Sequence, residues 1–289
     1  MWEQIFVNGI IAGGKYAMLA LGFSLIYGVA RIMNLTHTAY YMLSAYLIFY
    51  LHQTLAVPLI LSYILSIIIV VIIGMAAYKV MVAPVRERFT AVLIITLVLA
   101  MVVQEAVLIV FGGHYRTLTK LVSGTTSFSG MTLTNQHLFT LGAVIFVLGS
   151  IWILLFRTSL GIAIRAMAMD REVANLMGMP ESQIAGITVA ISVGLAAVAG
   201  AVVAPLYILE PAMWMHPLVV VMAAVILGGL GSIKGSIIGA FILAFAEVGL
   251  VFLVPQLAFL RGAVSMAVLL AVLMIRPEGL FGIFMEGER

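Results

Sequence analysis

The sequence predicts an all-α fold, a polytopic transmembrane helical bundle, and three observations predict it. Of the 289 residues 64% are hydrophobic and 9% charged, with a mean hydropathy of +1.26, whereas a soluble domain is roughly half apolar and a quarter charged. Charge-free windows close to the roughly 20 residues of one bilayer span recur at 57–78, 138–156 and 183–209. The basic residues sit in short connections between such windows. With a formal charge of only +3, this scatter speaks against a nucleic-acid-binding surface, despite a pI near 9.2, and reads as a set of orientation signals.

Taken in order, the pattern gives about eight or nine hydrophobic segments, some broken or re-entrant. The first, 5–30, is interrupted by Gly9, Gly13, Gly14 and Lys15, and Lys15 is expected near a helix end, snorkelling to the interface. The residues before it lack a basic leader and a small-residue cleavage site, so this span is expected to be retained. Segments 37–53 and 57–82 follow, the second closed by Lys79, Arg86 and Arg88. Segment 90–111 carries Glu105. The Ser-, Thr- and Gly-rich stretch 112–136 belongs to the opposite side, although Arg116 and Lys120 lie within it. Segment 138–157 ends on Arg157, and 183–208 leads into another outer connection at 207–216. Segments 217–230 and 235–254 are separated by Gly228, Gly229, Gly231, Ser232, Lys234 and Gly235, which predicts a helix broken at membrane depth, where free backbone must face protein or water. Segment 257–276 closes on Arg276. The positive-inside rule places the clusters at 79–88 and 157–171, with Arg276, on the cytoplasmic side. An odd number of crossings then puts the N-terminus outside and eight crossings put it inside, and one re-entrant segment changes that parity. The two glycine-interrupted segments are suggestive of paired broken helices, but the match is too short to define a repeat. The whole of 1–289 reads as one transmembrane domain with a cytoplasmic loop at about 158–182.

That loop is too polar to cross and too apolar to be idle. Asp170 can cap a helix, Val173, Leu176 and Met177 share one face, Gly178 stands where a C-terminal glycine belongs and Pro180 blocks continuation. Two readings of this short surface helix are open. It lies on the inner leaflet beside Arg165 and Arg171, or it is a docking helix whose apolar stripe anchors a partner groove. The 18 methionines, among them Met167, Met169, Met177 and Met179, are adaptable packing groups.

The run Gly161, Arg165, Ala166, Ala174, Leu176, Met177 and Gly178 resembles the cytoplasmic loop of branched-chain amino-acid ABC permeases. The block 27–46, YGVARIMNLTHTAYYMLSAY, resembles that family's segment with an Asn-aromatic-Ala-His core. The block 223–247 resembles its glycine-rich signature, and the ending IRPEGLFG, 275–282, its usual C-terminus. The resemblance implies an inner-membrane permease subunit of a bacterial importer for a branched-chain amino acid or similar small polar solute. It implies a second, related permease chain, two ATPase subunits that hold the ATP, and an extracytoplasmic solute-binding protein. No cofactor is expected on this chain, and the loop residues above, with Asp170 and Val173, are the expected coupling contacts. The sequence departs from the pattern where Leu35 and Thr36 replace an aromatic and Ala, and where Thr38 and Ala39 replace a Gly-Glu pair. An acidic side chain expected near the pathway is therefore missing, which puts substrate identity in doubt.

Polar groups within apolar segments are costly and face protein or water. Asn34, Thr36 and His37, with Gly228, Gly229, Gly231, Ser232 and Glu247, are the candidates for the path or its gate. For His37 the other reading is a helix-end hydrogen bond. Glu247 and Glu105 are expected to be packed carboxylates paired with Lys15, Arg261 or Lys234, and the glycines serve close packing or a hinge. His52, His114, His137 and His216 show no metal-ligand spacing, and the absence of cysteine excludes disulfides and thiolate sites. Asp170 is the only aspartate, which excludes an intramembrane aspartyl protease. The class that competes with an ATP-driven permease is an ATP-independent channel or secondary transporter using Glu105, Glu247 or His37.

Overall fold

The first apolar segment forms a single unbroken helix, α1 (Trp2–Ala30), in a computed structural model that describes residues 2–128 and 131–281. Its glycines are contact surfaces rather than interruptions. A Cβ at Gly9 or Gly13 would overlap Phe245 or Phe241, and one at Gly14 would overlap Val144. Small residues thus let neighbouring helices close on α1, and from Gly9 onward nearly all of α1 is buried.

The chain continues through α2 (His37–Phe49), α3 (Leu59–Ala77), α4 (Phe89–Phe111), the antiparallel strands β1 (Thr125–Phe128) and β2 (Met131–Thr134), and α5 (Asn135–Arg157). Then come α6 (Ser159–Met169), α7 (Arg171–Leu176), α8 (Glu181–Val203), α9 (Met215–Gly228), α10 (Ile233–Leu253) and α11 (Arg261–Ile275). A π-helical turn extends α2 to Thr54, and π and 3-10 turns carry α3 on to Val85. Seven of these helical stretches are long and apolar enough to cross a bilayer, so the predicted polytopic bundle is what forms. The strand pair and α6 are additions that apolar periodicity did not reveal.

α1, α2 and α8 form the centre, whereas α4, α5 and α11 turn most of their apolar surface outward. Such exposure would be untenable in water and is what lipid-facing helices require.

The break at membrane depth does not occur between α9 and α10. Residues 229–232 make a tight turn with positive φ at Gly229 (98°) and Gly231 (84°), conformations that only glycine adopts without strain. The turn sits beside Gly28, near the end of α1. Gly228 and Gly235 bring their backbones into contact, leaving no space for a Cβ on either, and the strap at 280–281 bonds back to the Leu227 and Gly228 carbonyls at 2.8 and 3.1 Å. Gly282, the last residue of the C-terminal block, lies outside the described residues.

The break lies instead at 31–36, a non-helical connection that opens with Arg31 at a positive φ of 54° and closes in a turn at 35–36, leading back into the bundle. Its end is fixed by His37, whose Nε2 donates to the Leu19 carbonyl at 3.0 Å. At 1.5 Å per residue Leu19 is about 16 Å from the end of α1, so α2 starts near mid-bilayer.

Arg86 pairs with Glu181 at 2.7 Å and Arg171 also pairs with it, so the two basic clusters meet at one end of the bundle. Leu25 and Val29, near the end of α1, pack in one cluster with Ile164, Met167 and Ala174 at the same end, so the start of α1 lies at the end opposite the basic one.

Candidate functional site

Two parts of the molecule carry unusual surfaces: a charged cavity opening at the end opposite the basic one, and α7 at the basic end with its exposed apolar side chains.

The cavity, about 650 Å³ in volume, is walled by α1, the connection 206–213, the start of α9, the later turns of α10 and the start of α11. Its roof is the pairing of two loops, Arg116 with Leu209, through backbone bonds of 3.1 and 2.8 Å. Trp214, fully buried, donates from Nε1 to Gln104 Oε1 at 2.7 Å and pins the same connection to α4. Apolar side chains (Leu206, Ile208, Met213, Val248, Val251) alternate on its wall with Lys15, Tyr16, Glu210, His216, Glu247 and Arg261.

Glu247 accepts from Tyr16 Oη at 3.0 Å and from Ser265 Oγ at 2.5 Å. His216 Nε2 is 3.4 Å away, within ion-pair range but too poorly aligned for a hydrogen bond, and His216 Nδ1 lies 3.3 Å from Tyr16 Oη. The expected pairing with Lys15, Arg261 or Lys234 is therefore replaced by two hydroxyls and an imidazole, which satisfy a buried carboxylate without a second fixed charge. Lys15 does not snorkel. It lies in the middle of α1, only 6% exposed, with Nζ 4.2 Å from the Tyr16 ring centre and 4.7 Å from that of Tyr207. Glu105 is not a packed carboxylate either: it is on the outward face of α4.

Of the eight residues proposed from sequence for path or gate, Glu247 alone borders this cavity. Asn34, Thr36 and His37 are buried where α2 begins. Asn34 Oδ1 accepts from the Thr36 amide at 3.1 Å, and Thr36 Oγ1 donates to the Thr96 carbonyl at 2.6 Å. His37 Nδ1 is 3.3 Å from Ser192 Oγ, itself bonded to the Gly22 carbonyl at 2.8 Å. These bonds tie α1, α2, α4 and α8 together. Gly228, Gly229, Gly231 and Ser232 form the α9–α10 turn at the far end, with Ser232 Oγ capping α10 through the Gly235 amide at 3.2 Å. Ala39, where the resembled family carries its acid, is fully buried and off the cavity wall. Among the described residues no group of His, Cys, Asp and Glu is arranged to hold a metal ion.

Sequence reading missed the cavity because its polar wall combines positions 15, 16, 207, 216, 247 and 261. One signal could have found it: Lys15 is the single charge between Glu3 and Arg31, in the middle of a long apolar helix.

At the other end, the Asp170 carboxylate accepts from the Val173 amide at 3.0 Å and starts α7. Met179 N bonds the Ala174 carbonyl at 3.1 Å and Gly178 N that of Asn175 at 3.0 Å, with Gly178 at φ 83°, a Schellman motif that ends the helix. Ala174 is buried against the bundle while Leu176 is 87% exposed, with Met169, Val173 and Met177 also outward. Gly161 presses on the Leu154 and Leu155 carbonyls, Ala166 accepts the Asp170 amide at its carbonyl (3.1 Å), and the Arg165 guanidinium lies 4.8 Å from the Phe156 ring centre. Gly161, Arg165, Ala166, Asp170, Ala174 and Gly178 thus hold α7 in place, and Val173, Leu176 and Met177 present its free face.

Comparison with known proteins gives a consistent result. The family described as "Branched-chain amino acid transport system / permease component" matches residues 5–275. The high-affinity branched-chain amino acid transport system permease protein BraD of Pseudomonas aeruginosa is 28% identical, over 96% of this chain and 95% of its own. LivH of Escherichia coli, a permease protein of the same description, is 27% identical over 97% and 95%, and a probable LivH from Methanocaldococcus jannaschii 25% identical over 97% and 93%. Among solved structures, PsaBC from Streptococcus pneumoniae in complex with Fab superposes with a TM-score of 0.52 over 95% of this chain and 92% of that one. At 15% identity this is a likeness of fold.

Proposed function

The chain belongs to the permease-component family of branched-chain amino-acid transport systems, and from that premise we propose that it is one permease subunit of an ABC importer in a bacterial inner membrane. It forms the translocation path for a branched-chain amino acid or a similar small polar solute together with a second, related permease chain. The basic end faces the cytoplasm, so the cavity opens outward, where an extracytoplasmic binding protein delivers solute. Two ATPase subunits, which hold the ATP, dock at the basic end. This chain carries solute and performs no bond chemistry.

The observation that carries this reading is the exposed apolar face of α7. A helix of six residues does not persist by propensity alone; here it is capped at both ends, fixed to the bundle by Ala174, and left with Val173, Leu176 and Met177 uncovered. That is the form of a helix-in-groove anchor. It transmits motion because the Arg171–Glu181–Arg86 bridge ties it to the starts of α8 and α4.

The test is uptake of labelled leucine and a panel of small polar solutes into proteoliposomes holding this chain with its partner permease, ATPases and binding protein. Uptake is expected to require ATP, and Leu176→Asp to abolish it by loss of ATPase assembly. Uptake by this chain alone, without ATP, would establish a channel or secondary transporter instead.

A further inference from the structure

The deep wall of the cavity carries a cation with no anion committed to it. Lys15 is only 6% exposed, borders the cavity, and forms no salt bridge among the described residues. Its neighbours are the faces of Tyr16 and Tyr207, which attract a cation through the ring quadrupole but supply no hydrogen-bond acceptor in the ring plane's normal direction. The one buried carboxylate on the same wall, Glu247, already holds the hydroxyls of Tyr16 and Ser265 and faces His216. Three ammonium donors on Lys15 therefore have room for an acceptor brought from outside. An ammonium at membrane depth is expensive unless it is paired or hydrated, and the chain retains this one in a water-accessible space of about 650 Å³.

We propose that Lys15 is the receptor for a carboxylate on the transported solute, so that this permease selects carboxylate-bearing molecules over urea and amides of the same shape. The assignment rests on the importer reading and sharpens it. The solute's carboxylate reaches inward to Lys15, and its apolar part lies against Leu206, Met213 and Val248. Glu210, exposed on the rim, is free to meet an α-ammonium group. Glu247 acts through its bond to Tyr16: it holds that ring under the ammonium and is not itself the solute's contact. The acid that the family pattern has at position 39 would have pointed into packed core here, so its loss leaves the cavity's recognition untouched.

Isovalerate and isovaleramide share a shape and differ in the carboxylate, and they provide the test on the full-length chain in lipid nanodiscs. Thermal stability is measured against increasing concentrations of each, and of leucine, for the unaltered protein, Lys15→Gln and Lys15→Arg. Isovalerate and leucine are expected to raise the midpoint and isovaleramide not. Lys15→Gln should weaken the carboxylate response roughly tenfold or more, and Lys15→Arg should restore most of it. An equal response to acid and amide, no response to either, or an isovalerate response that survives Lys15→Gln would overturn the assignment. Loss of folded Lys15→Gln protein leaves the acid–amide comparison on the unaltered chain and on Lys15→Arg to decide it. Because the ligand response is read without ATP, its failure is distinct from a failure of ATP-driven uptake, which would count against the importer reading instead.

Discussion

The cavity and α7 are opposite solutions to the problem of presenting a surface. The cavity buries Lys15 and Glu247 and satisfies Glu247 from three directions; α7 exposes apolar groups at the basic end, while its caps and the Arg171–Glu181 bridge hold it in place. In the first, the chemistry and the stability share the same residues. In the second they are separated, since the residues that hold α7 are not those that it offers. Substitutions should therefore damage folding and function together in the cavity, and function alone on α7.

Glu247→Ala should produce the largest loss of stability. It leaves Tyr16, Ser265 and His216 facing a void inside the bundle, and breaking such a network costs about 3–5 kcal/mol. A clear fall in the thermal midpoint in detergent checks it, and an unchanged midpoint would remove the contrast. Leu176→Asp should leave that midpoint unchanged, because the side chain is 87% exposed and surface changes stay within about 0.5 kcal/mol. Its binding to the ATPase, read by co-purification, should weaken by about 2 kcal/mol or more if this is an interface anchor. Asp170→Ala lies between the two kinds: it removes one cap, costs about 1 kcal/mol locally, and should accelerate amide exchange across 171–177 while the rest of the bundle keeps its protection. Glu105→Gln should change least, since this carboxylate has no partner among the described residues. A shift below about 0.5 kcal/mol in the midpoint is expected, and a larger one would show that a second chain covers that face of α4.

The same contrast explains what was legible in the sequence. α7 could be read almost to the residue because its caps, stripe and terminator are contiguous in sequence, so its bounds follow local rules. The lipid-facing helices were legible from composition for the same reason. The glycines were harder, because a glycine that breaks a helix and one that admits a neighbour look identical until the neighbour is known. Gly9, Gly13 and Gly14 proved to be the second kind. His37 and Glu247 were both recognised as out of place in apolar segments, but their partners, Leu19, Ser192, Tyr16 and Ser265, are supplied by the bundle and not by sequence neighbours.

The start of α2 at mid-depth bears on how this protein is made. With 13 residues, α2 is about 20 Å long, short of the roughly 30 Å hydrocarbon core, and the non-helical connection 31–36 ahead of it leaves amides and carbonyls that lipid cannot satisfy. α1 is already in place to receive His37, but Ser192 emerges from the ribosome 155 residues later. The early pair of helices must therefore wait, sheltered by the insertion machinery or held near the interface, until α8 arrives. Biogenesis of this chain is thus not a sequence of independent spans threaded one after another, since the contacts of His37 are complete only once α8 is present.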